Sequence, residues 1–197
     1  MENKDIRVRV ARPDDAEAIQ KIYAPYVKKT AITFEYDIPT VEEMEQRIQQ
    51  TEETYPFLVA TVKKKVVGFA YASTFQDRAA YQWSAQLSVY CDPAYKRQNI
   101  GTKLYYVLEN FLRDMGYCNA CACIALEHKK GGKDIVKNES TRFHRSLEYN
   151  YAGKFNRIGY KNGKWYDMVW MEKTIAKHKD KPKEPISFAA WREKNDL

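Results

Sequence analysis

Apolar positions follow two rhythms along this chain. In "IRVRV" they alternate with polar ones, so Ile6 to Val10 reads as a half-buried strand. In "PDDAEAIQKIYAPYVKKT" Ile19, Ile22, Tyr23 and Tyr26 recur at helical spacing, and Asp14 with Glu17 three residues later predicts a capped start. "TVEEMEQRIQQ" repeats that signal with Thr40 and Glu43. Between the two helices, "TAITFEYDIP" reads as an ordered loop, with Phe34 and Tyr36 as apolar material able to line a pocket.

The rhythm then shortens. "PFLVATV" and "VVGFAYAST" flank Lys63-Lys64-Lys65 and read as a hairpin. "QWSAQLSVYC" is a third strand, stopped by Asp92-Pro93. After a basic turn, Leu104, Val107, Leu108, Phe111 and Leu112 form the apolar face of a helix from about Ile100 to Met115, with Gly116 as its C-cap. "YCNACACIAL" follows as a buried strand. Strand, loop, helix and strand in this order predict a crossover between parallel strands. "EHKKGGKDIVK" is a loop and "NESTRFHRSLEY" a short helix. "YNYAGKFNRIGY" and "KWYDMVWMEK" are strands joined at Asn162-Gly163, a strong hairpin signal. The fold class is α+β, with a mixed, mostly antiparallel sheet flanked by helices and a parallel strand–helix–strand crossover at its centre. From about Thr174 the pattern dissolves. Residues 1–173 read as one domain, and 174–197 as a basic tail that Phe188 and Trp191 equip for docking.

Composition narrows the function. The chain has 197 residues, enough for one core, and 44% of them are hydrophobic. No apolar run reaches the ~18 residues of a membrane span. "MENKDIRVRV" lacks an apolar secretory core, so the default location is cytoplasmic. The net charge of +7 sits in two patches: six basic against two acidic residues over 128–145, and seven against four over 173–197. Two local patches make a broad nucleic-acid surface a poor expectation. Cys121, Cys123 and His128 match no common zinc spacing, so no metal is expected and the cysteines read as small apolar filler.

The stretch "SVYCDPAYKRQNIGTKLYYVLENFLRDMGY" carries the chemistry. A strand end, a basic loop and a helix N-terminus together suit phosphate groups, because backbone N–H groups and the helix dipole point the same way. With "SVYCDP", "NIGTKLY", "STRFHRSLEY" and "GYKNGKWYDMVWMEK", the chain from Ile6 to Lys173 resembles the GNAT N-acetyltransferases, and within them the phosphinothricin and methionine sulfoximine acetyltransferase group.

That resemblance implies a GNAT fold. It also implies acetyl transfer from acetyl-CoA to the primary amine of a small, amino-acid-like molecule by direct attack. It places Val89, Tyr90 and Cys91 beside the pantetheine arm, and Lys96, Arg97, Gln98, Asn99, Ile100, Gly101 and Thr102 around the pyrophosphate. Asn138 becomes a further cofactor contact, His144 lies near the thiol as a source of its proton, and a homodimer is implied. The lysines Lys129, Lys130 and Lys133 could approach the cofactor's 3′-phosphate or form a solvated surface. Arg78 and Tyr81 match an Arg-x-Ala-Tyr pattern, where Arg78 could clamp a carboxylate. Phe34 could wall the acceptor pocket, and Tyr160 and Trp165 could shape the site or a dimer contact.

Two departures from the family matter. Asn99 replaces a loop glycine, though Asn tolerates left-handed backbone. Gln86 stands where relatives carry the Glu that serves as general base, and a neutral amide cannot take a proton from an ammonium. Three routes stay open. Gln86 orients a water that carries the proton; another carboxylate, Glu35 in "TFEYD", takes it; or the chain binds acetyl-CoA and turns over poorly.

Overall fold

The structure, a computed structural model, describes residues 5–128 and 138–196. Strand β1 (Ile6–Val10) leads through a short 3-10 turn into α1 (Ala16–Lys29) and α2 (Val41–Thr54). Thr40 caps α2 as expected: its hydroxyl accepts from Glu43 N–H, and Glu43 accepts from Thr40 N–H. The start of α1 differs. Asp15, not Asp14, does the fastening, accepting from Arg12 N–H at 2.8 Å and from the Arg9 guanidinium at 2.6 and 2.8 Å. The preceding Pro13 starts the turn one residue early, which shifts the inward-facing carboxylate by one.

Strands β2 (Phe57–Val62), β3 (Lys65–Thr74) and β4 (Ser84–Cys91) form an antiparallel meander with β1. The β2–β3 turn is tighter than the three-lysine reading. Lys63 and Lys64 alone form it, both at positive φ, and Lys65 already pairs with Val62. Then come α3 (Ile100–Met115), β5 (Asn119–Glu127), α4 (Glu139–Ser146) and the hairpin β6 (Asn150–Lys161) and β7 (Lys164–Thr174). The sheet order is β1-β2-β3-β4-β5-β7-β6, and β4–β5 is its parallel pair. Helices α1 and α2 cover one face, packing on Val59, Phe69 and Tyr90. Helix α3 covers the other, against Leu58, Ala70, Ala85 and Leu87.

The tail joins this core. Residues 175–187 cross the start of β4 and β5, where Ile175 N–H bonds Cys118 O and Trp83 Nε1–H bonds Lys183 O. Helix α5 (Phe188–Lys194) then sets Phe188 and Trp191 edge-on to Phe111 of α3, and Arg192 reaches Glu52 of α2. At the opposite end of the sheet, buried Asp167 accepts from Arg157 N–H, Lys154 and His128. Its bond to Arg157 pins the register break in β6 between Phe155 and Gly159. Burial opposes the Asp167 charge, but these donors outweigh it and hold the carboxyl below its usual range.

Candidate functional site

The site begins where the sheet opens. β4 and β5 pair only from Ser84–Asn119 to Gln86–Cys121. Beyond Gln86 both strands continue, but apart. The wedge between them is a cleft of about 660 Å³, walled by residues 87–91 of β4 and 122–125 of β5, by the loop before α3 and by one face of α4. With no strand beside it, the inner edge of β4 carries free backbone groups. Leu87 O accepts from Tyr105 Oη at 3.3 Å, and Cys91 O accepts from Tyr26 Oη at 2.6 Å. Alternation along a strand aims the N–H and C=O of Val89, midway between them, into the same cleft.

The mouth of the wedge is an anion-suited helix start. Asp92 ends β4, its carboxylate accepting from Ala94 N–H at 2.9 Å. Arg97 and Asn99 both adopt φ of 60°, and left-handed residues set close together turn successive N–H groups to one side. Asn99 fills the role expected of it; Arg97 in this conformation was not foreseen and costs of the order of 1 kcal/mol. The first α3 bond of the helical type runs from Lys103 N–H to Asn99 O. Ile100, Gly101 and Thr102 therefore present N–H groups without helical partners, and that of Gly101 turns to Cys91 Sγ. A side chain at Gly101 would meet the Phe143 ring at 3.1 Å, so glycine is what lets α4 close on α3 here.

Of the expected cofactor contacts, Val89, Tyr90, Cys91, Lys96, Arg97, Asn99, Ile100, Gly101 and Thr102 all line the cleft. Gln98 is in the loop but off the cleft wall. Asn138 serves as the α4 N-cap instead, its Oδ1 accepting from Ser140 and Thr141 N–H. Lys129, Lys130 and Lys133 lie outside the described residues. Arg142, exposed on α4, lines the cleft and was missed.

His144 lies at the inner end of the cleft, 6% exposed. Its Nδ1 faces Ser140 O at 2.7 Å, so that nitrogen carries the proton, and Nε2, 3.0 Å from Tyr105 Oη, shares that hydroxyl's one proton with Leu87 O. Burial lowers its pKa to about 4. The lowered pKa favours the uncharged ring at neutral pH, and its one proton, on Nδ1, is held by Ser140 O. Tyr105, buried between His144 and Leu87, ties α3, α4 and β4 together at this point. Nothing in the pattern of α3 separated it from the apolar residues around it.

The expected acceptor residues lie elsewhere. Ala85 and Leu87 pack toward α3, so alternation puts Gln86 and Ser88 on the α1–α2 face of β4. Phe34 packs against Tyr166 and so tightly on Gly159 that a Cβ there would overlap its ring. Tyr36 donates to Tyr160 O, and buried Lys161 donates to Thr33 O at 2.7 Å. The β6–β7 tip and the α1–α2 loop thus form a strap beside Gln86's face of the sheet. Glu35 is bound to Arg47 through both oxygens at 2.9 and 3.1 Å. Arg78 is exposed on the turn before β4, and Tyr81 stands edge-on to Phe75, which in turn meets Trp170. Among the described residues no His, Cys, Asp or Glu group is arranged to hold a metal, and no helix is long and apolar enough to cross a membrane.

Comparison with known proteins agrees with this geometry. Residues 8–170 match the acetyltransferase (GNAT) domain family. The chain is 27% identical over 187 residues to the phosphinothricin N-acetyltransferase of Streptomyces viridochromogenes, covering 94% of this chain and 97% of that one. It is 31% identical over 169 residues to the phosphinothricin N-acetyltransferase of Alcaligenes faecalis, covering 85% and 82%. Among solved structures, a phosphinothricin acetyltransferase from Sinorhizobium meliloti in complex with AcCoA superposes with a TM-score of 0.80 at 29% identity, covering 92% and 95%.

Proposed function

Because the chain belongs to the GNAT acetyltransferase family, we propose that it transfers the acetyl group of acetyl-CoA to the primary amine of a small amino-acid-like molecule of the phosphinothricin or methionine sulfoximine type. The observation that carries this reading is the parted β4–β5 wedge with N–H groups of α3 that lack helical partners at its mouth. A pantetheine arm offers amides to the free edge at Val89, and a pyrophosphate offers charge to residues 100–102, Lys96 and Arg97. When bound, acetyl-CoA supplies the activated thioester. The chain's own residues hold it straight, exclude water through the buried Tyr105–His144 pair and leave the Gln86 face open to the amine. Arg78 and Phe34 are the residues we assign to the acceptor's carboxylate and its apolar wall, with Tyr81 beside them.

The test is calorimetric titration with acetyl-CoA, followed by acetylation of phosphinothricin and methionine sulfoximine. One-site binding and turnover are expected; absence of binding would sink the reading. Gln86 favours a second reading, an acetyl-CoA-binding module that barely turns over. Under it the natural protein stays inert on a broad amine panel while Gln86→Glu gains activity, a general base being worth about 10²–10⁴-fold.

The same reading takes a homodimer as the working form. Phe155, Ile158, Tyr160 and Trp165 leave a half-exposed apolar surface on the outer hairpin, which a second copy would cover. Light scattering that returns only monomer mass at micromolar protein would rule this out.

A further inference from the structure

Two residues beyond Gln86, on the same face of β4, stands Ser88. Tyr71 of β3 lies directly opposite it in the sheet, so the two side chains leave the same face side by side, and the Ser88 hydroxyl acts on the Tyr71 phenol. Ser88 lines the main cleft. Tyr71 lines a second cavity of about 150 Å³, shared with Tyr23, Met44, Arg47, Thr51, Phe57 and Phe69. The hydroxyl pair is therefore a polar contact between two spaces, set in a stack of rings. Phe57 and Phe69 lie parallel to Tyr71 with centroids 5.1 and 6.5 Å away.

Glu35 stands beyond the second cavity. Its Oε1 accepts from Tyr23 Oη at 3.0 Å as well as from Arg47; Tyr23 also bonds Thr33 and stands edge-on to Tyr90. The polar and charged groups around Tyr71 are then Ser88 and Tyr90 from β4, Tyr23 from α1, Arg47 from α2 and Glu35 from the α1–α2 loop. Lys161 of the hairpin tip acts on Glu35 from its own side. The cavity is mostly apolar, but Tyr23, Arg47, Thr51 and Tyr71 give waters in it polar partners, and Tyr23 and Arg47 carry the connection on to Glu35.

We propose that the Ser88–Tyr71 hydroxyl pair is the proton exit for the acceptor ammonium, leading through the second cavity to Glu35 and solvent, and that it does the work that Gln86 cannot. This rests on the N-acetyltransferase reading. Ser88 Oγ takes the ammonium proton as it passes its own to Tyr71 Oη. Tyr71 passes its own to cavity water, and from there the proton reaches the Glu35 carboxylate or bulk solvent. The amine, now neutral, forms the C–N bond as the C–S bond breaks, and its second proton leaves with the sulfur. Burial raises the Tyr71 and Tyr90 phenols, so both stay protonated and conduct a proton without storing a charge. Glu35 keeps its pair with Arg47 at rest and gains the proton only in passing.

Tyr71→Phe keeps the ring stack and removes the hydroxyl. Acetylation of phosphinothricin would be followed from about pH 6 to 10 in wild type, Tyr71→Phe, Ser88→Ala and Tyr71→Phe/Gln86→Glu, with acetyl-CoA affinity measured in each. At pH 7, Tyr71→Phe should lower kcat/KM for the amine by about 10–100-fold, with acetyl-CoA affinity within about twofold of wild type. The deficit should shrink as pH rises past the amine's own pKa, and Gln86→Glu should repair it, since a carboxylate at 86 bypasses the path. An unchanged rate in Tyr71→Phe would overturn the proposal. So would a deficit that is flat in pH and unrepaired by Gln86→Glu, which would mark the pair as purely structural. A wild type that binds acetyl-CoA yet acetylates no amine would instead remove the acetyltransferase reading, and the relay with it.

Discussion

Along β4, Ala85, Leu87, Val89 and Cys91 face α3, while Gln86, Ser88 and Tyr90 face α1 and α2, with Ser88 and Tyr90 also reaching the cleft wall. The first side is built largely from backbone: a strand edge without a neighbour and the open end of a helix. The second is built from side-chain atoms: hydroxyls of Ser88, Tyr71 and Tyr23, and the Glu35–Arg47 pair. A backbone site tolerates changes of residue type as long as the chain keeps its course. Asn99 and Arg97 both hold the loop's left-handed turns without glycine. A side-chain site has no such tolerance, and a single change such as Gln86 bears directly on its chemistry.

The largest effect expected on this comparison is one of pH. His144 has its pKa lowered from 6.5 to about 4 by burial. The stability tied to its neutral form is therefore fully present above pH 6.5 and is lost as pH falls toward 4. The loss amounts to about 3 kcal/mol and would be read by urea unfolding at stepped pH. A profile flat through that window would mean His144 is not held neutral. Next in size is Gly101→Val. Its side chain meets Phe143 at the cleft mouth, and overpacking of about 1–3 kcal/mol should weaken acetyl-CoA by about 10–100-fold while leaving amine KM alone. Gly159→Ala should do the reverse. It displaces Phe34, so amine KM should rise by up to about tenfold with acetyl-CoA affinity unchanged. Variants that moved both affinities together would end the idea of two separately built sides.

The smallest effect concerns Glu52, which touches neither side. Burial raises its pKa to about 7 despite Arg192, and its Oε1 has no hydrogen-bond partner. Its folded pKa lies above the unfolded value, so its contribution is present below pH 4.5 and is lost as pH rises through 7. That trend opposes the one at His144. Glu52→Gln should therefore steepen the acid loss of stability and flatten the curve near neutrality. An unaltered profile would show that the carboxyl titrates normally.

How much of this could be read from sequence follows from how far each signal reaches. The Thr40–Glu43 cap, the bounds of α3 and the Asn162-Gly163 turn are set by neighbours within a few residues, and all stand where the pattern put them. The parallel crossover followed from element order. The fastening of α1 by Asp15 depends on Arg9 across a turn, and local spacing pointed to Asp14 instead. Helix α5 is short; Phe188 and Trp191 hinted that it docks, but where it docks is fixed by Phe111 and Glu52, far back in the chain. The cleft-lining loop was legible because backbone chemistry follows the element order. Of the groups proposed for the proton path, Glu35 alone was marked in the sequence, as a carboxylate beside a candidate pocket wall. Ser88 and Tyr71 meet through strand register, and Tyr23 reaches Glu35 through a loop that folds back on its own helix, and no periodicity announces either.

That last helix also sets an order of events. Phe188 is fully buried against α3, and residues 175–187 brace the short junction from which the wedge opens. Chains emerge from synthesis N-terminus first, at about 5–20 residues per second. The strands of the wedge and the helix at its mouth therefore exist well before the segment that locks them. Until the α5 segment is made, Phe111 and Met115 have nothing to close over them, so the nascent chain passes through an interval in which the wedge is assembled but unlatched.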